Sequence, residues 1–174
     1  IVEKELQDAD RNAVSQARPI PYNEWSLSFL TDYIVNTHHS YVKKTLPDLM
    51  AYANKVARVH GRNHPELMDV LERVEAVNEE LGPHLMKEEQ VLFPYIKMLD
   101  QASIEKSKLS APGFGTIENP VRMMEMEHET VGKLLDEIRK ITVNYSLPVD
   151  ACASYSLLYR LLDEFENDLH LHIH

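Results

Sequence analysis

Nine histidines in 174 residues are the first chemical signal in this chain. A neutral imidazole is a metal ligand and an imidazole near pH 7 is a proton carrier, so such a surplus points to either chemistry or to a solvated surface. Position separates these readings. His84 and Glu88 are four residues apart, which stacks them one turn above the other on one helix face. Both interrupt an otherwise apolar stripe. A carboxylate buried without a partner is strongly destabilising, so Glu88 needs positive charge beside it. His128 and His172 interrupt apolar stripes further along in the same way. Upstream stand His38, His39 and His60. His39 and His60 are 21 residues apart, about 5.8 turns, which puts them on roughly the same side of a helix. Periodicity does not choose between His38 and His39. His64 falls in a turn, and His170 and His174 flank His172 at two residues' distance, about 200° around a helix, so these three are expected to be solvated.

The donor types narrow the metal. A single cysteine, Cys152, excludes an internal disulfide and a cysteine-rich zinc or iron–sulfur site. Imidazoles mixed with carboxylate suit iron or manganese. Inward histidines from four segments exceed what one ion with open positions needs, and two ions can share them through a bridging carboxylate.

Four long helical segments are expected to position these groups. The first runs from about Ser26 to His60, with Leu27, Leu30, Ile34, Tyr41, Leu49, Val56 and Val59 at helical spacing, a kink expected at Pro47 and an end at Gly61. The second starts at Pro65 and runs to about Leu99, bent at Gly82-Pro83. Its inward stripe reads Leu67, Val70, Val74, Val77, Leu81, His84, Glu88, Val91, Tyr95, Met98. A loop with Pro112, Gly113 and Gly115 spans about 103–119, long for a bundle. The third helix runs from Pro120 to about Asn144, with Val121, Met124, His128, Val131, Leu135 and Ile138 inward. The fourth follows Pro148, with Ala151, Tyr155, Leu158, Leu162, Phe165, Leu169 and His172 inward. The spacing predicts an all-α, antiparallel up-down-up-down four-helix bundle over 25–174, preceded by a short helix or linker over 1–24.

Composition agrees. Hydrophobic residues make up 44%, ordinary for a soluble domain, and five glycines are few for an all-β protein. A net charge of -10 argues against nucleic acid or an anionic membrane as partner. No apolar run reaches membrane-helix length, and the lone cysteine fits the reducing cytoplasm.

Together, His38-His39-Ser-Tyr-Val-Lys-Lys-Thr-Leu-Pro47, Arg58-Val-His60, His84-Leu-Met-Lys-Glu88-Glu89-Gln-Val-Leu-Phe-Pro94, Met126-Glu127-His128-Glu129 and Asp168-Leu-His-Leu-His172 resemble the hemerythrin-like bundle of the Repair of Iron Centres family. The resemblance covers about Trp25 to His174. It implies two iron ions in an oxo- and carboxylate-bridged centre, with His39, His60, His84, His128 and His172 as ligands and Glu88 as a bridge. It prefers His39 to His38 by distance to Leu46-Pro47. It implies protection or repair of iron–sulfur clusters damaged by nitric oxide or oxidative stress. The implied partners are nitric oxide or oxygen as small ligand, damaged iron–sulfur proteins as clients, and a second copy in a homodimer. The family's second bridging glutamate falls four residues after the last ligand histidine, at position 176, beyond His174; its N-terminal cysteine-bearing module, and any activity depending on it, is not expected here. Reversible oxygen or nitric oxide binding, nitric oxide reduction by the centre itself, and a purely structural bundle are the rival functions. Glu127 and Glu80 are expected either as solvated acids or as supports of the ligand histidines.

Overall fold

The structure is a computed structural model that describes residues 20–109 and 112–173. The expected short helix over 1–17, and the solvated place expected of His174, lie outside the described residues. A single turn of 3-10 helix (Tyr22–Glu24) leads to Ser26, whose side chain caps the first helix by accepting from the Phe29 backbone N–H at 3.2 Å. Among the described residues six α-helices follow: α1 (Leu27–Ile34), α2 (Ser40–His60), α3 (Glu66–Lys87), α4 (Phe93–Glu105), α5 (Glu118–Ile141) and α6 (Ala153–Ile173). Two five-residue π-helical segments join them in pairs. Val35–His39 fuses α1 to α2, and Glu88–Leu92 fuses α3 to α4. The result is four rods, as the periodicity predicts.

The rods are antiparallel neighbours. The second rod returns along the first, so α2 lies on α3 and α1 on α4, while α5 covers α3 and α6 covers α2. Asp100 fastens α4 to α1 by accepting from the Ser28 backbone N–H at 3.0 Å and the Ser28 hydroxyl at 2.6 Å. The main core is built on the expected stripes, including Leu49, Val56, Val70, Val77, Val131, Ile138, Leu158 and Leu162. A smaller apolar cluster of Leu92, Phe93 and Met124 forms separately, backed by Ile34, Val35, Ile96 and Ile117.

Helical winding is unbroken at the prolines: α2 runs through Pro47 and α3 through Gly82-Pro83. The departures from α winding are the π segments, and they move the inward stripe. A π turn closes on the fifth residue rather than the fourth, so the register beyond it slips by one residue. Val91 and Met98, expected inside, are 46% and 51% exposed, while Leu92 and Phe93 are buried. Before the first π segment Leu27 is 50% exposed and Thr31 takes the buried place. The α5–α6 connection is also unforeseen: Val143, Asn144 and Tyr145 are three consecutive left-handed residues with φ of 50–56°.

Candidate metal centre

Both π segments carry ligand-type residues. His38 and His39 end the first, and Glu88 and Glu89 begin the second. π turns inside α-helices occur often at functional sites, because they rotate a side chain that regular winding would aim elsewhere. All four of these residues except Glu89 are fully buried.

His84, Glu88, His128 and His172 converge so that one ligand atom from each lies within 4.8 Å of the others, a group able to hold a metal ion. Three rods contribute. His84 Nε2 and His128 Nε2 stand 2.9 Å apart, a distance at which one proton, at most, sits between them. Glu88 Oε2 lies 3.5 Å from His84 Nε2 and 3.9 Å from His172 Nε2. The fourth rod adds His39, whose Nε2 is 3.0 Å from Glu88 Oε2. That approach is close enough for an ion pair but off the direction of a hydrogen bond, so both atoms stay unsatisfied, as does the buried Nδ1 of His172. A buried polar atom without a partner costs about 1–3 kcal/mol. Donor atoms of this chemistry, buried and unsatisfied around one point, fit a cation.

Carboxylates behind the imidazoles fix which nitrogen faces inward. His84 Nδ1–H donates to Glu127 Oε2 at 2.9 Å, and His39 Nδ1–H donates to Glu89 Oε1 at 2.8 Å. Each bond leaves an Nε2 lone pair directed at the centre, the arrangement by which proteins orient histidine ligands. Lysines hold the carboxylates in turn. Lys43 Nζ binds both oxygens of Glu89 at 2.6 and 2.8 Å, and Lys87 pairs with Glu127.

Electrostatics follow from burial and pairing. Burial pushes the Glu88 carboxyl up, but His39 and His84 outweigh it and hold it well below the usual carboxylate range. Burial likewise lowers His84, yet Glu88 and Glu127 overcome it and raise the imidazole above its ordinary value. His128 and His172 are lowered, chiefly by desolvation, His172 to about 3. A low value leaves an imidazole neutral, the form that binds metal.

Two expected placements need correction. His60 is on α2 with His39, but a 21-residue separation rises about 31 Å along the axis, so sharing a helix face does not bring the two to one site. His60 instead meets Cys152 Sγ at 3.2 Å and the ring of Tyr155 at 5.3 Å. His64 is not simply solvated: its Nε2 pairs with Asp150 at 2.9 Å and its Nδ1 with Glu66 at 3.2 Å. Of the two acids weighed as supports, Glu127 reaches His84, and Glu80 is exposed. Glu89 was not anticipated. Its signal was present in Glu88-Glu89 adjacency, since a π turn presents consecutive residues to one side more readily than an α turn. His38 is buried but outside the metal-binding group; its Nδ1 lies 3.2 Å from Asp168 Oδ1.

The hemerythrin HHE cation binding domain family matches residues 31–174. The chain is 34% identical over 173 residues to the probable iron–sulfur cluster repair protein of Haemophilus influenzae, covering 99% of this chain and 71% of that protein. It is 35% identical over 164 residues to iron–sulfur cluster repair proteins YtfE of Yersinia pestis and Yersinia pseudotuberculosis, covering 91% of this chain and 67% of each of those. Among the described residues no helix is long and apolar enough to cross a membrane. An all-helical bundle with imidazoles and a carboxylate gathered in its core, and this degree of identity over most of its length, place the chain in the hemerythrin HHE cation-binding family, among the iron–sulfur cluster repair proteins.

Proposed function

We propose that the chain carries a di-iron centre used to protect or repair iron–sulfur clusters damaged by nitric oxide or oxidative stress in the cytoplasm. The observation that carries this reading is the set of buried, unsatisfied donor atoms at one depth of a bundle whose relatives are named iron–sulfur cluster repair proteins. His39, His84, His128 and His172 would hold the irons, and Glu88 would bridge them. Bound iron would supply a one-electron redox couple and a Lewis-acidic position for nitric oxide or oxygen.

The chain's own residues prepare that chemistry. Glu88, held ionised, offsets part of the charge of two cations. Glu127 and Glu89 keep the Nδ1 protons of His84 and His39 away from the centre. The two apolar clusters on either side exclude bulk water, which strengthens every charge interaction between them. Damaged iron–sulfur proteins are the proposed clients, and a homodimer is the proposed assembly.

The test is anaerobic loading with ferrous iron, followed by incubation with a dehydratase whose cluster has been destroyed by nitric oxide. Close to two irons per chain and recovery of the dehydratase's activity are expected. Full loading without recovery would refute the repair function while leaving the metal centre standing. Negligible iron would refute both.

A further inference from the structure

The rings of Trp25, Tyr33, His38 and His172 form an unbroken line from the start of α1 to the metal-binding group. Trp25 and Tyr33 have centroids 5.0 Å apart at 68°, Tyr33 and His38 5.8 Å at 75°, and His38 and His172 5.5 Å at 72°. His172 belongs to the group that gathers around Glu88. Trp25 and Tyr33 are half-buried, so the outer end of the line reaches solvent, while His38 is only 3% exposed.

The line depends on the first π segment. Residues five apart in an α-helix point about 140° from each other. Val35–His39 closes on the fifth residue instead, which brings His38 beneath Tyr33. His38 is then fixed by Asp168 at 3.2 Å, a residue on the same helix as His172. A buried histidine held in this way, outside the donor group, is unexplained by metal binding. Plain packing would account for an aromatic cluster, each pair adding about 0.5–1.5 kcal/mol. Packing alone does not call for the two most readily oxidised aromatic side chains at the outer end, nor for an imidazole joining them to the centre.

We propose that Trp25, Tyr33 and His38 form an electron route between the protein surface and the metal centre. This rests on the di-iron reading above. Tyr33 would give one electron through the His38 and His172 rings to the bound iron once peroxide has oxidised it, and would release its phenolic proton to water at its half-exposed face. Trp25 returns an electron to the Tyr33 radical, which takes back a proton. The Trp25 radical cation is filled by an external one-electron reductant of the reduced flavoprotein or iron–sulfur protein class. The net change is one electron from that donor to iron, with no net proton uptake. His38 is a positioning residue that carries the electron without being oxidised.

The experiment uses the iron-loaded chain treated with hydrogen peroxide and frozen within milliseconds. Electron paramagnetic resonance reads the aromatic radical, and mass spectrometry of the digested protein locates oxidation at Trp25 and Tyr33. In the unsubstituted chain both residues are expected to be oxidised, and only when iron is present. Trp25→Phe should confine the radical to Tyr33. Tyr33→Phe should cut Trp25 oxidation at least tenfold at unchanged iron content, and Tyr33→Trp, which keeps an oxidisable ring, should restore it. Equal Trp25 oxidation in Tyr33→Phe, or in the iron-free chain, overturns the proposal. If Tyr33→Phe fails to fold, the Trp25→Phe radical decides: absence of a Tyr33 signal overturns the route. An unsubstituted chain that takes up no iron refutes the di-iron reading instead, so the two failures are distinct.

Discussion

Glu127 binds His84 and Lys87 at once, so one carboxylate sets both the tautomer and the orientation of an inward imidazole. Glu127→Ala should therefore weaken iron binding by about 10–100-fold without disturbing the fold; competition with a chelator measures it, and unchanged retention would show that His84 needs no such support. At the opposite end of α2, Cys152 is exposed and its thiol is pulled down to about 7, first by the Tyr155 backbone N–H and then by His60. The thiolate is the reacting form, so alkylation should slow about tenfold per pH unit below 7 and level off above it. His60→Ala should move that inflection upward, an outcome read from iodoacetamide rates across pH. These residues also mark how far the sequence could be read. His84, Glu88, His128 and His172 were legible because each replaces an aliphatic residue on a regular stripe. The choice between His38 and His39 was not, because winding changes from α to π at those two positions and a 3.6-residue wheel no longer applies. His60 was misplaced because a wheel records angle and ignores rise.

At the scale of elements, the rods, their order, the turn between Gly61 and Pro65 and the long loop before α5 followed from periodicity and breaker residues, whereas the backbone of the α5–α6 connection did not. The run Thr142–Tyr145 has no glycine, yet Val143 has φ of 50°. A left-handed conformation is disfavoured by about 1–2 kcal/mol for a residue with a Cβ, and most for a β-branched one. Val143 is 67% exposed, so its side chain contributes little packing. Val143→Gly should accordingly raise stability by about 1 kcal/mol, visible as a higher midpoint in urea; a lower midpoint would mean that the side chain is held by contacts the exposure does not suggest.

Across the molecule as a whole, charge is buried among the described residues in two places that serve different ends. One is the candidate metal centre. The other is Glu166, 1% exposed on α6, which accepts from Arg139 Nε at 2.9 Å on both oxygens and from the Tyr145 hydroxyl at 2.5 Å. This network ties α6 to the end of α5 and to the left-handed turn, and raises the Tyr145 phenol through burial and the adjoining carboxylate. Glu166 lay beside Phe165 on no expected stripe, since its burial depends on a cation from another helix that one-helix periodicity cannot reveal. Removing one partner of a buried pair strands the other, at about 3–5 kcal/mol. Glu166→Ala should lose about that much in chemical denaturation while still taking up iron, because the network stands apart from the donor group. Loss of iron at full folding would contradict that separation.

A π segment is also a point of insertion: it holds one residue more than the α turn it replaces. Deleting Asn36 from Val35–His39 would return that stretch to ordinary winding. Tyr33 and His38 would then stand four residues apart, which in α winding is one turn and the same face. His39 would keep its place in the rod that begins at Ser40, and Tyr33 would stay over His38. A one-residue shortening should therefore leave both iron uptake and Trp25 oxidation intact, measured on the same peroxide-treated sample; loss of either would show that the extra residue does more than fill the turn. Five residues here do the work of four, so the spare residue can be removed without parting the metal from its wiring to the surface.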